Sequence, residues 1–121
     1  MRGLLASLFL VLALAFAVPA RAQHSVSLSW TASSDAAANP TLAYNVYRLA
    51  GACPASGTAG FTKINTSQVT TPTFSDATVA IGQNCYCVTS TLNGAESSPS
   101  NLVSAVVLPG APTLLKVAAT T

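Results

Sequence analysis

Hydrophobic and polar residues alternate in several short stretches of this chain, a pattern typical of half-buried β-strands. The stretch 25–31 alternates strictly between apolar residues and serine or threonine, and 42–49 follows a similar pattern with two opposite faces. Further short strands are predicted at 61–65, 70–77, 84–92 and 103–108. Nothing after residue 22 shows a sustained helical period, so the pattern predicts an all-β, antiparallel fold.

The strongest local signal is a hairpin that follows the strand at 84–92. Tyr86 and Val88 share one face of this strand, and the dipeptide Asn93-Gly94 comes directly after it. Both residues tolerate a positive φ, which a tight two-residue hairpin turn requires. The returning strand is predicted at 102–108, and we expect this hairpin to organise the rest of the fold.

The first 22 residues have the form of a secretory signal peptide. Arg2 precedes a continuous apolar run at 4–18, and Ala20-Arg21-Ala22 is a small-x-small cleavage site. The alternative, an uncleaved membrane anchor, is disfavoured because a spanning helix needs about 20 apolar residues. We therefore predict a leader at 1–22, one domain at 23–109, and a Pro/Gly linker with a C-terminal tail at 110–121.

Charge and composition narrow the classes of function. The full chain carries a formal charge of +2, but removal of the leader takes Arg2 and Arg21 with it and leaves equal numbers of basic and acidic residues. A neutral domain lacks the basic surface that nucleic acids and anionic membranes attract. Ionisable residues are few, and serines have no histidine partner in the body of the domain, so we expect no enzyme activity.

The exported part contains three cysteines, Cys53, Cys85 and Cys87, and an oxidising compartment favours a disulfide. Their odd number leaves one thiol unpaired. A redox motif would place two residues between its cysteines, and a zinc site would need a fourth donor that only His24 could supply. We accordingly predict no metal site and no cofactor.

Several segments, taken in order, resemble the fibronectin type III family in its short bacterial form. They are SVSLSW at 25–30, YNVYR at 44–48, FTKIN at 61–65, TFSDATV at 73–79, the Tyr86-x-Val88-x-Ser90 face and NGAESSPSN at 93–101. The resemblance covers about residues 24–108. It implies an immunoglobulin-like β-sandwich, with Trp30 in the core between two sheets and Tyr86 in the position of the family's tyrosine corner.

The resemblance also bears on the cysteines. In this fold the loop after the YNVYR strand ends near the start of the strand that contains Tyr86, which places Cys53 close to Cys85. The favoured disulfide is therefore Cys53–Cys85, with Cys53–Cys87 as the alternative. If Tyr86 faces the core, Cys85 and Cys87 both point to the outer face.

The sequence departs from the family at both ends. The family's first strand is missing before residue 25, and 111–117 looks like the start of another such domain. The tail is either a truncated tandem repeat or a strand, predicted at 113–119, that pairs beside residues 25–31 within one chain or between two chains. A monomer and an edge-paired dimer are both compatible with this pattern.

The predicted function is that of a secreted or periplasmic non-catalytic module for protein–protein interaction, adhesion or spacing at the cell surface. The expected contact surface comprises Tyr47, Asn93, Gly94 and Glu96, which lie outside the predicted core. The alternative is an accessory carbohydrate-binding module associated with secreted hydrolases, for which Tyr47 would supply the exposed aromatic ring. The partner is accordingly an unknown protein or a surface polysaccharide, and no membrane contact is expected after the leader is cleaved.

Overall fold

The computed structural model describes residues 24–118, so the predicted signal peptide and residues 119–121 lie outside the described part. The described residues form the strands β1 (Val26–Ser29), β2 (Ala43–Ala50), β3 (Thr62–Lys63), β4 (Thr73–Asp76), β5 (Gly82–Leu92), β6 (Ala95–Glu96) and β7 (Val103–Val107). Every strand pairing among them is antiparallel, and residues 24–118 contain no helix. The predicted all-β, antiparallel class is therefore confirmed.

The strands form two sheets of unequal size. The small sheet pairs β1 with β4, and the large sheet has the order β3-β2-β5-β6, with β7 also paired to β5. The 11-residue strand β5 is central to the large sheet, because β2, β6 and β7 all pair with it. β3 lies at one edge and carries Lys63, a charge typical of edge strands.

The core lies between the two sheets and follows from alternation along the strands. On β2, Tyr44 and Val46 face inward and are almost completely buried. On β5, Tyr86 belongs to a buried apolar cluster against which Val26 and Leu28 of the small sheet pack. The two faces predicted for β1 and β2 thus separate core from surface as their sequence patterns indicate.

A buried carboxylate links the small sheet to the large one. Asp76, at the end of β4, is only 2% exposed, and its Oδ2 accepts hydrogen bonds from Arg48 Nη1 on β2 and from the Tyr86 hydroxyl on β5, each at 2.7 Å. Its other oxygen accepts from the Thr78 main-chain N–H at 3.0 Å. We call Arg48, Asp76, Thr78 and Tyr86 the Asp76 cluster.

The environment of Asp76 favours its ionised form. Burial alone would raise the pKa of this carboxyl group, but hydrogen bonds from Tyr86, Arg48 and Thr78 outweigh that cost and hold its pKa below the usual value. Burial and the adjacent carboxylate raise the pKa of the Tyr86 hydroxyl, which therefore remains a hydrogen-bond donor. The ion pair of Asp76 and Arg48 is thus hydrogen-bonded on several sides, as a buried charge requires.

Trp30 occupies a more open position than predicted. Its indole is half-buried and meets the Tyr44 ring edge-on, with the ring centroids 5.3 Å apart and the planes at 69°. This contact joins the sheets away from the Asp76 cluster. The indole is not fully enclosed because, in residues 24–118, the small sheet has no strand beyond β1 to cover it.

The predicted hairpin turn is present between β5 and β6. Asn93 and Gly94 have φ values of 52° and 83°, and Leu92 pairs with Ala95 across the turn. Two positive φ values in a two-residue loop are the requirement of a type I′ turn. The return strand is interrupted between β6 and β7, where the hydroxyls of Ser97 and Ser100 accept hydrogen bonds from the main chain of β5.

A disulfide joins Cys53 to Cys85, with a Cα–Cα distance of 5.1 Å, so the favoured pairing is confirmed. Cys85 and Cys87 lie on the outer face of the large sheet, as expected, yet they are 0% and 3% exposed. The bridge holds the segment between β2 and β3 against this face, which alternation along β5 alone does not reveal.

The strand predicted at 113–119 is not formed. Residues 113–118 have no strand pairing and are exposed, and 119 lies outside the described residues. The main-chain groups of this segment are therefore left without strand partners in the described chain.

We predict that Asp76→Asn destabilises the fold by about 2–3 kcal/mol at pH 7, because Arg48 loses its buried counter-ion. The pKa of Asp76 is lower in the folded chain than its unfolded value of about 3.9. Its contribution is therefore present above that value and is lost as pH falls through the folded pKa. Urea unfolding should show the gap to wild type narrowing between pH 7 and pH 3.

The control is Asp35→Asn, which changes an exposed carboxylate in the loop before β2 and should unfold like wild type at pH 7. A gap for Asp76→Asn of equal size at pH 7 and pH 3 would show that the ionised form of Asp76 is not what stabilises the fold.

Candidate functional site

The outer face of the large sheet carries most of the predicted contact residues. Tyr47 points to this face from β2, where it pairs with Lys63 on one side and Cys87 on the other. Glu96 lies on β6, directly after the turn at Asn93 and Gly94. The hairpin folds Glu96 back over the sheet, so residues 49 positions apart come into contact.

One oxygen of Glu96 receives three hydrogen bonds from this face. Glu96 Oε2 accepts from the Tyr47 hydroxyl at 2.5 Å, from Thr89 Oγ1 at 2.5 Å and from Asn45 Nδ2 at 3.1 Å. Asn45 and Thr89 are themselves cross-strand partners on β2 and β5. We call Asn45, Tyr47, Thr89 and Glu96 the Glu96 cluster.

The hydrogen bonds set the charge state of the cluster. Those from Thr89, Tyr47 and Asn45, in that order, lower the pKa of Glu96, and the nearby Lys63 ammonium adds to the effect. The pKa of Tyr47 is raised, chiefly by its hydrogen bond to Glu96. At neutral pH the cluster is therefore an exposed carboxylate beside a neutral phenol.

Within the described residues, the other carboxylate oxygen, Glu96 Oε1, accepts no hydrogen bond from a side chain. Because three donors fix Oε2, the carboxylate is held in one orientation. An exposed acceptor whose orientation is fixed loses little conformational entropy when a donor from a partner binds it. The arrangement suits recognition of N–H or O–H donors.

A shallow depression of about 320 Å³ adjoins the cluster. Tyr47 and Phe61 supply aromatic surface to it, and Glu96 and Cys87 also line it. Phe61 was not among the predicted site residues, since the strand around it was expected only to form an edge. Asn45 and Thr89 were also missed, although their alternation with inward-facing neighbours places them on the face of Tyr47.

The turn residues Asn93 and Gly94 lie at the tip of the same hairpin and are exposed. No hydrogen bond in the described residues joins the Asn93 side chain to the Glu96 cluster, so the turn positions Glu96 rather than extending the cluster. The four predicted contact residues thus divide into a bonded pair, Tyr47 and Glu96, and the turn that brings that pair together.

Asn65-Thr66-Ser67 matches the Asn-x-Ser/Thr pattern of an N-glycosylation acceptor, but the Asn65 side chain has a structural role in the folded chain. The Asn65 side chain is 6% exposed, its Oδ1 accepts from the Val46 main-chain N–H at 2.8 Å, and its Nδ2 donates to the Ser67 carbonyl at 3.1 Å. This amide continues the hydrogen bonding of β2 beyond the short strand β3. The Asn65 amide nitrogen, the atom that a glycan would occupy, is thus buried and hydrogen-bonded in the native fold.

The described residues hold no group of three or more histidine, cysteine, aspartate or glutamate side chains placed to bind a metal ion. In residues 24–118 no helix is long and apolar enough to span a membrane. The carboxylates are also far apart in the architecture: Asp76 of the small sheet is buried between the sheets, and Glu96 lies on the outer surface of the large sheet.

We predict that the Cys87 thiol is unreactive in the native protein, because it is buried and mostly protonated. Its pKa is raised chiefly by burial and further by the nearby Glu96 carboxylate. Iodoacetamide without reductant should modify one cysteine in urea and react about 100-fold more slowly without urea. Peptide mapping should locate the modification at Cys87, and Cys87→Ser should take up none. Rapid labelling of the native protein, or labelling of Cys53 or Cys85, would contradict the buried thiol and the disulfide.

No protein-family model matches this chain, and a search of curated proteins finds no significant match.

Proposed function

We propose that this chain is an exported, non-catalytic module of the fibronectin type III kind that binds another protein at or outside the cell surface. The contact surface of this proposal is the Glu96 cluster with the turn at Asn93 and Gly94. The observation that carries it is the exposed Glu96 carboxylate, which three donors hold in one orientation beside an aromatic ring.

The order of the strands supports the fibronectin type III assignment. β1 and β4 would correspond to the family's strands B and E, β2 and β3 to C and C′, β5 to F, and β6 with β7 to an interrupted G. Tyr86 sits near the start of β5, as a tyrosine corner would. It departs from the family pattern because its hydroxyl donates to the Asp76 carboxylate rather than to a main-chain carbonyl.

Two features support export. The sequence predicts a cleavable leader at 1–22. The Cys53–Cys85 disulfide is compatible with an oxidising compartment outside the cytoplasm. Such a bridge, which closes a loop across a separation of 32 residues, would stabilise a small domain by about 3–4 kcal/mol in the chain-entropy model.

The Glu96 cluster suits a protein partner because it combines an aromatic ring, a carboxylate and, across the strand pair, the Lys63 ammonium. Tyrosine is enriched at the centres of protein interfaces, since its ring contributes contact area and its hydroxyl a hydrogen bond. The domain carries no net charge once the leader is removed, so recognition would depend on this local arrangement rather than on long-range attraction.

A second candidate is a polysaccharide. Tyr47, Phe61 and Glu96 line the same depression. Aromatic rings beside a hydrogen-bond acceptor are suited to the C–H faces and hydroxyl groups of a sugar. This candidate uses the same surface as the first, so the two are distinguished by the ligand.

We expect a photo-reactive phenylalanine at position 58, in the depression beside Tyr47, to cross-link a protein of the source cell's exported fraction. Tyr47→Ala should reduce the adduct by about 10-fold, since it removes both the ring and the bond to Glu96. Tyr47→Phe should have a smaller effect because the ring remains. The same probe at Ser75, in the small sheet, is the matched control. Equal adducts at both positions, or an adduct unchanged by Tyr47→Ala, would remove this surface from the proposal.

For the polysaccharide candidate, we expect retarded migration in native gels that contain hydroxyethyl cellulose, xylan, glycol chitin or starch. Tyr47→Ala and Phe61→Ala should each abolish the retardation, because both rings line the depression. Phe74→Ala, which alters an aromatic residue of the small sheet, is the control. Normal migration of the wild-type protein in all four gels would discard the candidate.

A further inference from the structure

The small sheet has an open edge along β1. Within residues 24–118, β1 pairs with β4 alone. The Trp30 main-chain N–H donates to the Pro72 carbonyl of the β4 side at 3.0 Å. Val26 and Leu28 lie four and two positions before Trp30, so their main-chain groups are also directed towards β4. In an antiparallel pair the intervening residues direct their N–H and C=O groups to the other side. Ser27 and Ser29 therefore present unpaired main-chain groups along the open edge.

An apolar groove runs beside that edge. Leu28 and Trp30 line it from the small sheet, and Val88 and Val103 line it from the large sheet, with a volume of about 240 Å³. Val103 pairs with Tyr86, so both side chains face the small sheet. Nevertheless Val103 is 48% exposed, because β1 does not reach over it. One further strand beside β1 would cover this surface.

The chain itself contains an unpaired segment of suitable character. Leu114, Leu115 and Val117 are each more than four-fifths exposed, at 83%, 92% and 87%. If residues 113–117 formed a strand, Thr113, Leu115 and Val117 would lie on one face and Leu114 and Lys116 on the other. Leu114 has a φ of 59°, a strained conformation for a leucine that strand formation would relieve.

The direction of the tail favours a second copy over its own β1. Val107, the last residue of β7, packs in the same cluster as Val26, the first residue of β1. A tail that turned back at once onto its own β1 would run parallel to it, through a linker stiffened by Pro109 and Pro112. The tail of another copy can approach antiparallel, which gives the better-aligned hydrogen bonds.

We propose that residues 113–117 of one copy add as an antiparallel strand to the open edge of β1 in a second copy, and that two copies exchange these segments. Thr113, Leu115 and Val117 face the groove, and Lys116 points to solvent. Reciprocal exchange closes the assembly as a dimer, because each copy gives one tail and receives one at its β1. Because the domain carries no net charge once the leader is removed, electrostatic repulsion between two copies does not oppose this association. The surface is separate from the Glu96 cluster, which lies on the outer face of the other sheet.

The test is sedimentation equilibrium of the exported chain between about 1 and 100 μM, a range that spans the weak affinities expected of small interfaces. The wild-type chain should be dimeric at the upper concentration. Leu115→Asp should be monomeric throughout, because it puts a charge into the groove. Leu114→Asp, on the solvent face of the same segment, should remain dimeric. Neither change alters the folded domain, since both residues are exposed in the single chain.

A second pair of variants tests the edge. Ser27→Pro removes an N–H from the open edge of β1 and should abolish the dimer. Ser75→Pro is the matched control, because Ser75 pairs with Ser27 and directs its main-chain groups to the opposite edge of the same sheet. Urea unfolding establishes that both variants are folded, and Leu115→Asp decides the question if either is not.

Three outcomes would overturn the proposal. A wild-type chain that is monomeric at 100 μM, with rapid hydrogen exchange at Ser27 and Ser29, would show that the edge stays open. A monomer in which these amides are protected would place the tail on its own β1. A dimer that survives both Leu115→Asp and Ser27→Pro would belong to a different interface.

Discussion

The fold depends on a buried ion pair that crosses between its two sheets. Asp76 ends β4 of the small sheet, and its partners Arg48 and Tyr86 lie on β2 and β5 of the large sheet. A two-stranded sheet with short strands has little apolar surface of its own, so it needs specific attachment to the larger sheet. The Asp76 carboxylate provides this attachment through its bonds to Arg48 and Tyr86. Separating the sheets locally would leave a buried charge unpaired, which costs more free energy than the ion pair itself contributes.

The outer face is organised by two further constraints, the disulfide and the hairpin turn. The bridge from Cys53 to Cys85 holds the segment between β2 and β3 over the sheet and buries Cys87 beneath its neighbours. The turn at Asn93 and Gly94 sets the register of β6, which decides where the Glu96 carboxylate lies. An exposed carboxylate would ordinarily be mobile; here it is held because the register brings Asn45, Tyr47 and Thr89 within reach of one oxygen.

Local pattern was sufficient to predict the elements whose causes are local. Alternation places β1, β2 and β5, and the positive φ tolerated by Asn93 and Gly94 predicts the hairpin. What it could not predict depends on contacts between distant residues. Arg48 and Asp76 were recognisable as charges, but their pairing requires the packing of two sheets. Tyr47 and Glu96 were predicted as separate surface residues, while their hydrogen bond depends on the register of β6. The sequence around Asn65 matches a glycosylation pattern. Its side chain instead accepts a hydrogen bond from the main chain of β2, as a neighbouring strand would, and this contact exists only in the folded chain.

The edges of the two sheets are protected unequally, and this bears on how the molecule associates. The β3 edge is two residues long and carries Lys63, a charge that disfavours pairing with another strand. β1 is longer and carries no charge, and the side chains on its solvent-facing side are serines. Val103 of the large sheet faces the small sheet beside β1 and is still half exposed. Solvent-exposed strand edges without charge or proline are the ones that pair with another strand. The β7 edge also lacks a charge and a proline. What distinguishes β1 is therefore the groove beside it, lined by Trp30 and Val103, which a further strand of the small sheet would cover.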